Sequence, residues 1–168
     1  MAWSKYLIVP FLVFLFVSCV ISLKMDSGII NYALTQTIHI ADFPNRTSFY
    51  SPMESMFNQA LKKRFIEQTR LKEVSANADI ELEGEITKFD VTNLAVKQDA
   101  FASQTRLTIT VHVEYVNNKE KGKDISQSFS SSQDFSSTQS INDVQDRLVK
   151  EIIDEIVDMI YNATVANW

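Results

Sequence analysis

Ala78-Asp-Ile-Glu-Leu-Glu-Gly-Glu-Ile-Thr-Lys-Phe89 and Thr105-Arg-Leu-Thr-Ile-Thr-Val-His-Val-Glu-Tyr-Val116 decide the fold class. In the first stretch Ile80, Leu82, Gly84 and Ile86 fall on one side, and Glu81, Glu83 and Glu85 on the other. In the second, Leu107, Ile109, Val111, Val113 and Tyr115 oppose Thr108, Thr110, His112 and Glu114. Successive side chains of a strand point to opposite faces, so a period of two predicts strands with one dry and one wet face. Such a sheet needs cover on one side only.

Working outward, the polar, Gly-containing run 117–124 reads as a hairpin loop. It leads into a weaker strand over 125–135, carried by Ile125, Phe129 and Phe135. Eight of the fifteen residues 126–140 are Ser, a linker-like composition, but the spaced aromatics argue for a polar strand. Upstream, 35–41 alternates Ile38 and Ile40 against Thr37 and His39, and Phe43-Pro44-Asn45 ends it.

Two segments follow helical spacing. Ser51-Pro52-Met53-Glu54 reads as a start signal, with Ser51 capping, Pro52 at the first helical position and Glu54 completing a capping box. Met53, Met56, Phe57, Ala60, Leu61 and Phe65 then form one apolar face, and the helix is expected to end near Thr69. The second helix, about 142–164, carries Val144, Leu148, Ile152, Ile153, Ile156, Val157 and Ile160 as a broad stripe. The order β-α-β-β-β-α predicts an α+β two-layer sandwich. Two helices would lie on one face of a four-stranded, mainly antiparallel sheet.

Residues 1–23 have another character. Lys5 is the one charged residue before Lys24, and an apolar run from Tyr6 to Val17 precedes Ser18 and Cys19. A positive start, an apolar core and a small residue describe a secretory signal peptide. The core is short of the ~20 residues of a comfortable span. Leu15-Phe16-Val17-Ser18-Cys19 resembles a bacterial lipobox, although Phe16 stands where Leu is usual. Three readings are open: a lipid-anchored Cys19, an uncleaved anchor extended by Val20 to Leu23, and an ordinary secreted chain. The first is favoured, because an exported lone thiol would otherwise be left reactive, and several acyl chains anchor more firmly than one. The chain therefore divides into a lipoprotein signal peptide (1–18), a lipidated tether (19–34) and the α+β domain (35–168).

Composition removes several function classes. With 3 Gly, 3 Pro and 1 Cys, neither a disulfide framework nor a thiol-rich zinc cluster can be built. The net charge of −5 offers no basic excess for nucleic acid. His39 and His112 fall on wet strand faces without a second ligand at suitable spacing, so no metal site is expected. No nucleophile elbow or phosphate loop is present, so neither enzymatic activity nor a cofactor is expected. The Glu81, Glu83 and Glu85 row reads as a solvated face, with Lys88 or Arg106 pairing across strands. Lys62, Lys63 and Arg64 read as the solvent side of the first helix.

A set of short stretches carries a further likeness: Ile40–Arg46, Ala60–Phe65 with Gln68–Leu71, Leu82–Ile86, Arg106–Val111, Gln127–Ser130, Asp134-Phe135 and Val165–Trp168. In this order behind a lipobox, the mature chain resembles the lipopolysaccharide-assembly lipoprotein family LptE, in its Bacteroidetes-type form. The resemblance implies a lipoprotein on the periplasmic side of the outer membrane. It also implies a role as a plug inside a β-barrel of the LptD type, assisting that barrel in bringing lipopolysaccharide to the cell surface. The implied fold, two helices on a four-stranded sheet, agrees with the element order read from the residues. Lys88, Lys97 and Arg106 become candidates for lipopolysaccharide contact. Thr108, Thr110, His112 and Glu114, with the loops 42–50 and 117–124, become candidates for barrel contact. The alternative is a stand-alone periplasmic lipid-binding or chaperone lipoprotein, which would need a cavity between sheet and helices.

Overall fold

The structure is a computed structural model that describes residues 28–94 and 103–167. The signal segment 1–18, Cys19, Lys97 and Trp168 lie outside the described residues. The elements are β1 (Gly28–Ile29), β2 (Thr37–Ile40), α1 (Pro52–Gln68), β3 (Lys72–Glu73), β4 (Ile80–Asn93), β5 (Gln104–Asn117), β6 (Ile125–Ser136), α2 (Ile141–Thr164) and β7 (Ala166–Asn167).

β4, β5 and β6 form an antiparallel meander whose dry face is the one the alternation marks. Ile80, Leu82, Ile86, Leu107, Ile109, Val111 and Val113 are all buried, in one core with the apolar stripes of the two helices. From α1 this core takes Met53, Phe57, Leu61 and Phe65, and from α2 the seven stripe residues joined by Val149. The helices pack on each other, and α2 also covers β5 and β6. At the end of α1, Thr69 turns both its N–H and its hydroxyl onto the Phe65 carbonyl (3.1 and 2.7 Å). These bonds occupy a carbonyl of the last turn that would otherwise lack a partner.

The sheet differs from the expected four mainly antiparallel strands. Among the described residues it has five, in the order β3-β2-β4-β5-β6, and β2 runs parallel to both neighbours. The reason is the connection: β2 reaches β3 and β4 only through α1, and a helical crossover returns the chain in the same direction. β3 is two exposed residues, Lys72 and Glu73, so no apolar alternation marks it. After β2 the chain continues along β4. Arg46 N donates to Ile86 O, and Ile86 N donates to Pro44 O (both 3.0 Å).

The capping box does not form. Ser51 is itself in helical conformation (φ −49°, ψ −34°) and makes no side-chain cap. Its would-be partner, Glu54, instead accepts the Asn45 N–H at 2.8 Å. The tertiary contact claims the carboxylate and pins the 42–50 loop to the helix start.

The end of the expected tether is also described. Gly28–Ile29 pairs antiparallel with Ala166–Asn167, and Ile30 and Thr35 are buried. This part of the chain lies against the domain beside the end of α2.

Candidate functional site: the polar sheet face

The face of the sheet away from the helices is built row by row. In β5 the residues Arg106, Thr108, Thr110, His112 and Glu114 point to it, because their odd-numbered neighbours are core. The register sets Glu83, Glu114 and Ser126 in one row, then Glu85, His112 and Ser128, then Lys88, Thr110 and Ser130. Asp90, Thr108 and Ser132 follow, and then Thr92, Arg106 and Asp134.

Lys88 reaches this face through a β-bulge. The pairing passes from Ile86↔Val111 to Lys88↔Thr110, leaving Thr87 as the extra residue. A bulge inserts one residue and so reverses the phase of alternation beyond it. Strict alternation from Ile86 would place Lys88 with the core. The bulge turns it to water and brings Phe89 and Val91 to the helix side.

The charges pair within the face. Arg106 makes two parallel bonds to Asp134, Nε to Oδ1 at 2.7 Å and Nη2 to Oδ2 at 2.9 Å. The hydrogen bond holds the Asp134 carboxyl below its usual range and Arg106 above its own. Arg46 Nε meets Glu85 at 2.8 Å, and Lys88 lies 3.6 Å from Asp90. His112 sits 3.6 Å from Glu114 and within 3.4 Å of the Ser128 hydroxyl, and the Thr110 and Ser130 hydroxyls bond at 3.1 Å. The result is a field of hydroxyls and paired charges with Glu81 and Glu83 as acidic surplus. It can donate and accept hydrogen bonds widely, but a phosphate approaching Arg106 must compete with Asp134.

The structure thus brings Lys88, Arg106, Thr108, Thr110 and His112 onto one surface. Two contributors were not singled out residue by residue in the sequence. Arg46 arrives from a loop distant in sequence. The row Ser126, Ser128, Ser130, Ser132 carries a legible signal, Ser at every second position.

The two candidate loops lie at the sheet's margins. In 42–50, the Tyr50 hydroxyl donates to Asp146 on α2, which pushes the Tyr50 pKa up to about 12. In 117–124, the Asn117 side chain accepts the N–H groups of Lys119 and Glu120 (2.9 Å each), and Gly122 supplies the positive φ of 82° that closes the turn. Of the basic cluster on α1, Lys62 is paired with Asp42 (2.8 Å) and Arg64 with Asp158 (3.2 Å). No helix of the described residues is long and apolar enough to cross a membrane.

Residues 35–164 match the model of the LptE lipopolysaccharide-assembly family. The chain belongs to that family. The match spans every element from β2 to α2, including the whole polar face. Among solved structures, rare lipoprotein B from Shewanella oneidensis is similar, with a TM-score of 0.53 at 12% identity over 74% of this chain and 92% of its own. Lipoprotein B from Nitrosomonas europaea gives 0.52 at 10% identity, covering 75% and 79%. The hypothetical protein CT253 from Chlamydia trachomatis gives 0.50 at 13%, covering 79% and 99%. At such identities the likeness concerns the fold. A comparison with curated proteins found no match.

Proposed function

We propose that this LptE-family chain is an envelope lipoprotein, anchored through Cys19 on the periplasmic side of the outer membrane. In this reading it acts without catalysis, as a plug that docks inside an LptD-type β-barrel and assists lipopolysaccharide assembly at the cell surface. The observation that carries this is the polar sheet face. A barrel interior is lined by polar side chains, and a plug must meet it with hydrogen-bonding groups, its cations already paired. The rows from Glu83-Glu114-Ser126 to Thr92-Arg106-Asp134 have that composition. The face is poorly suited to broad electrostatic capture of an anionic glycolipid, since Arg106 and Arg46 are both engaged by carboxylates. Lys88, Arg106, Thr108, Thr110 and His112 are therefore assigned to barrel contact first.

The test is recovery of the full-length lipoprotein from membranes in mild detergent. The wild type is expected to bring a large outer-membrane barrel in equal amount. A double substitution Thr110→Lys with Ser130→Lys, on the solvent side of the sheet, is expected to lower that recovery at least tenfold and to reduce surface lipopolysaccharide. Undiminished recovery with a folded variant would remove the sheet face as the dock. Recovery without a barrel but with bound lipid would replace the plug by the stand-alone carrier.

A further inference from the structure

Among the described residues β6 ends the sheet as a long edge strand whose outer side nothing pairs. The opposite edge, β3, is only two residues long, whereas β6 has 12 residues in unbroken register with β5. Edge strands are ordinarily blunted by a bulge, a proline or an outward lysine, and β6 (Ile-Ser-Gln-Ser-Phe-Ser-Ser-Ser-Gln-Asp-Phe-Ser) has none of these. The ladder shows which groups are free. Ser137 N donates to Ser103 O just beyond the strand end, so the odd-numbered residues of β6 exchange bonds with β5. The N–H and C=O of Ser126, Ser128, Ser130, Ser132 and Asp134 consequently point away from the sheet. Among the described residues no backbone group outside the β5 ladder bonds to them.

Such a row is complementary to another extended backbone. The charge beside it selects whose. Glu155 on α2 reaches over β6, accepting from the Ser131 hydroxyl and from Gln133 Nε2 (2.9 Å). Among the described residues no cation lies within ion-pair distance of it. Antiparallel pairing of two copies centred on Ser130–Ser132 would bring two Glu155 carboxylates within roughly two strand spacings, ~10 Å, which opposes self-association. A segment carrying Lys or Arg on its helix-facing side would instead find an unpaired carboxylate.

We propose that β6 accepts, as a sixth strand, an extended basic segment of the barrel partner. This rests on the barrel-docking reading and adds to it the strand and the bonding mode. The test compares Ser132→Pro with Ser132→Ala in the full-length lipoprotein. Proline at 132 removes one outward N–H and leaves the β5 ladder intact, while alanine keeps that N–H. Ser132→Pro is expected to cut barrel recovery at least tenfold with an unfolding temperature within about 5 °C of wild type. Ser132→Ala, which removes one hydroxyl of the polar face but keeps the outward N–H, is expected to cut it by no more than about threefold; equal losses in the two variants would overturn the strand-pairing mode. In the wild-type complex, hydrogen exchange at the amides of residues 126, 128, 130, 132 and 134 is expected to slow at least tenfold relative to the free protein. If the barrel is recovered equally with Ser132→Pro and these amides stay unprotected, the edge is not the dock, although the barrel reading stands. If wild type recovers no barrel, both fall. Protection that grows with protein concentration in the absence of barrel would assign the edge to a second copy and overturn the proposal.

Discussion

Gly84 shows how tightly single positions can be constrained. It lies on the dry face, and a Cβ there would stand 2.1 Å from the His112 carbonyl oxygen and 2.5 Å from the Phe43 ring. Phe43 is fully buried and packs on Phe57, with ring centroids 5.3 Å apart. Gly84→Ala must therefore push backbone against backbone. Destabilisation by ~3 kcal/mol or more is expected in denaturant unfolding. Ser51→Ala is expected to change stability by less than about 0.5 kcal/mol, because Ser51 caps nothing in the structure, although such a cap is ordinarily worth ~1 kcal/mol. A measured loss near the capping value would show that the side chain bonds the helix in solution. Asp79 is an acid-sensitive residue. It accepts the N–H of Gln36 (2.8 Å) and Thr37 (3.0 Å), with Lys119 at 3.2 Å, and these bonds lower its pKa to about 2. Since the folded value lies below the ordinary one, Asp79 stabilises the fold fully above about pH 4. That contribution fades as pH falls toward about 2. Thermal unfolding followed from pH 5 to pH 2 should steepen in that window for wild type and flatten for Asp79→Asn; equal slopes would dismiss the assignment.

Among the elements, β5 carries the most, because it is central to the meander and contributes to both faces. Ile109 is 1% exposed. Ile109→Ala should cost ~2–5 kcal/mol, from lost transfer energy plus the cavity left behind. A cost below about 1 kcal/mol would mean that the helices close over the gap. Both strand faces and both helix stripes were legible in the residues, since each depends on a period internal to the element. The bulge in β4 was not. Thr87 is an ordinary strand residue, and only the pairing with β5 shows that Lys88, not Thr87, stands opposite Thr110. β3 was missed because two polar residues have no period.

For the molecule as a whole, the arrangement of anchor and domain leads to one prediction about processing. Cys19→Ala is expected to leave an unprocessed precursor, heavier by the signal segment, and mass spectrometry of the mature wild type should find acyl chains on Cys19. An unmodified Cys19 in the mature protein would replace the lipid anchor by one of the other two readings. β1 and β7, with Ile30 buried beside them, place residues 28–30 beside the end of α2.

The sequence by itself determined the helices, the meander and the division of the sheet into a dry and a polar face. Each follows from alternation or helical spacing within one segment, where burial of every second or every third-to-fourth side chain is a local requirement. It also carried the family likeness. Only the tertiary structure decided the parallel placement of β2, the phase change at Thr87, the diversion of Glu54 from Ser51 to Asn45, and the arrival of Arg46 beside Glu85. In each of these a partner outside the element itself supplies the hydrogen bond or the space. A polar group takes the best-placed partner in three dimensions, which need not be the nearest in sequence.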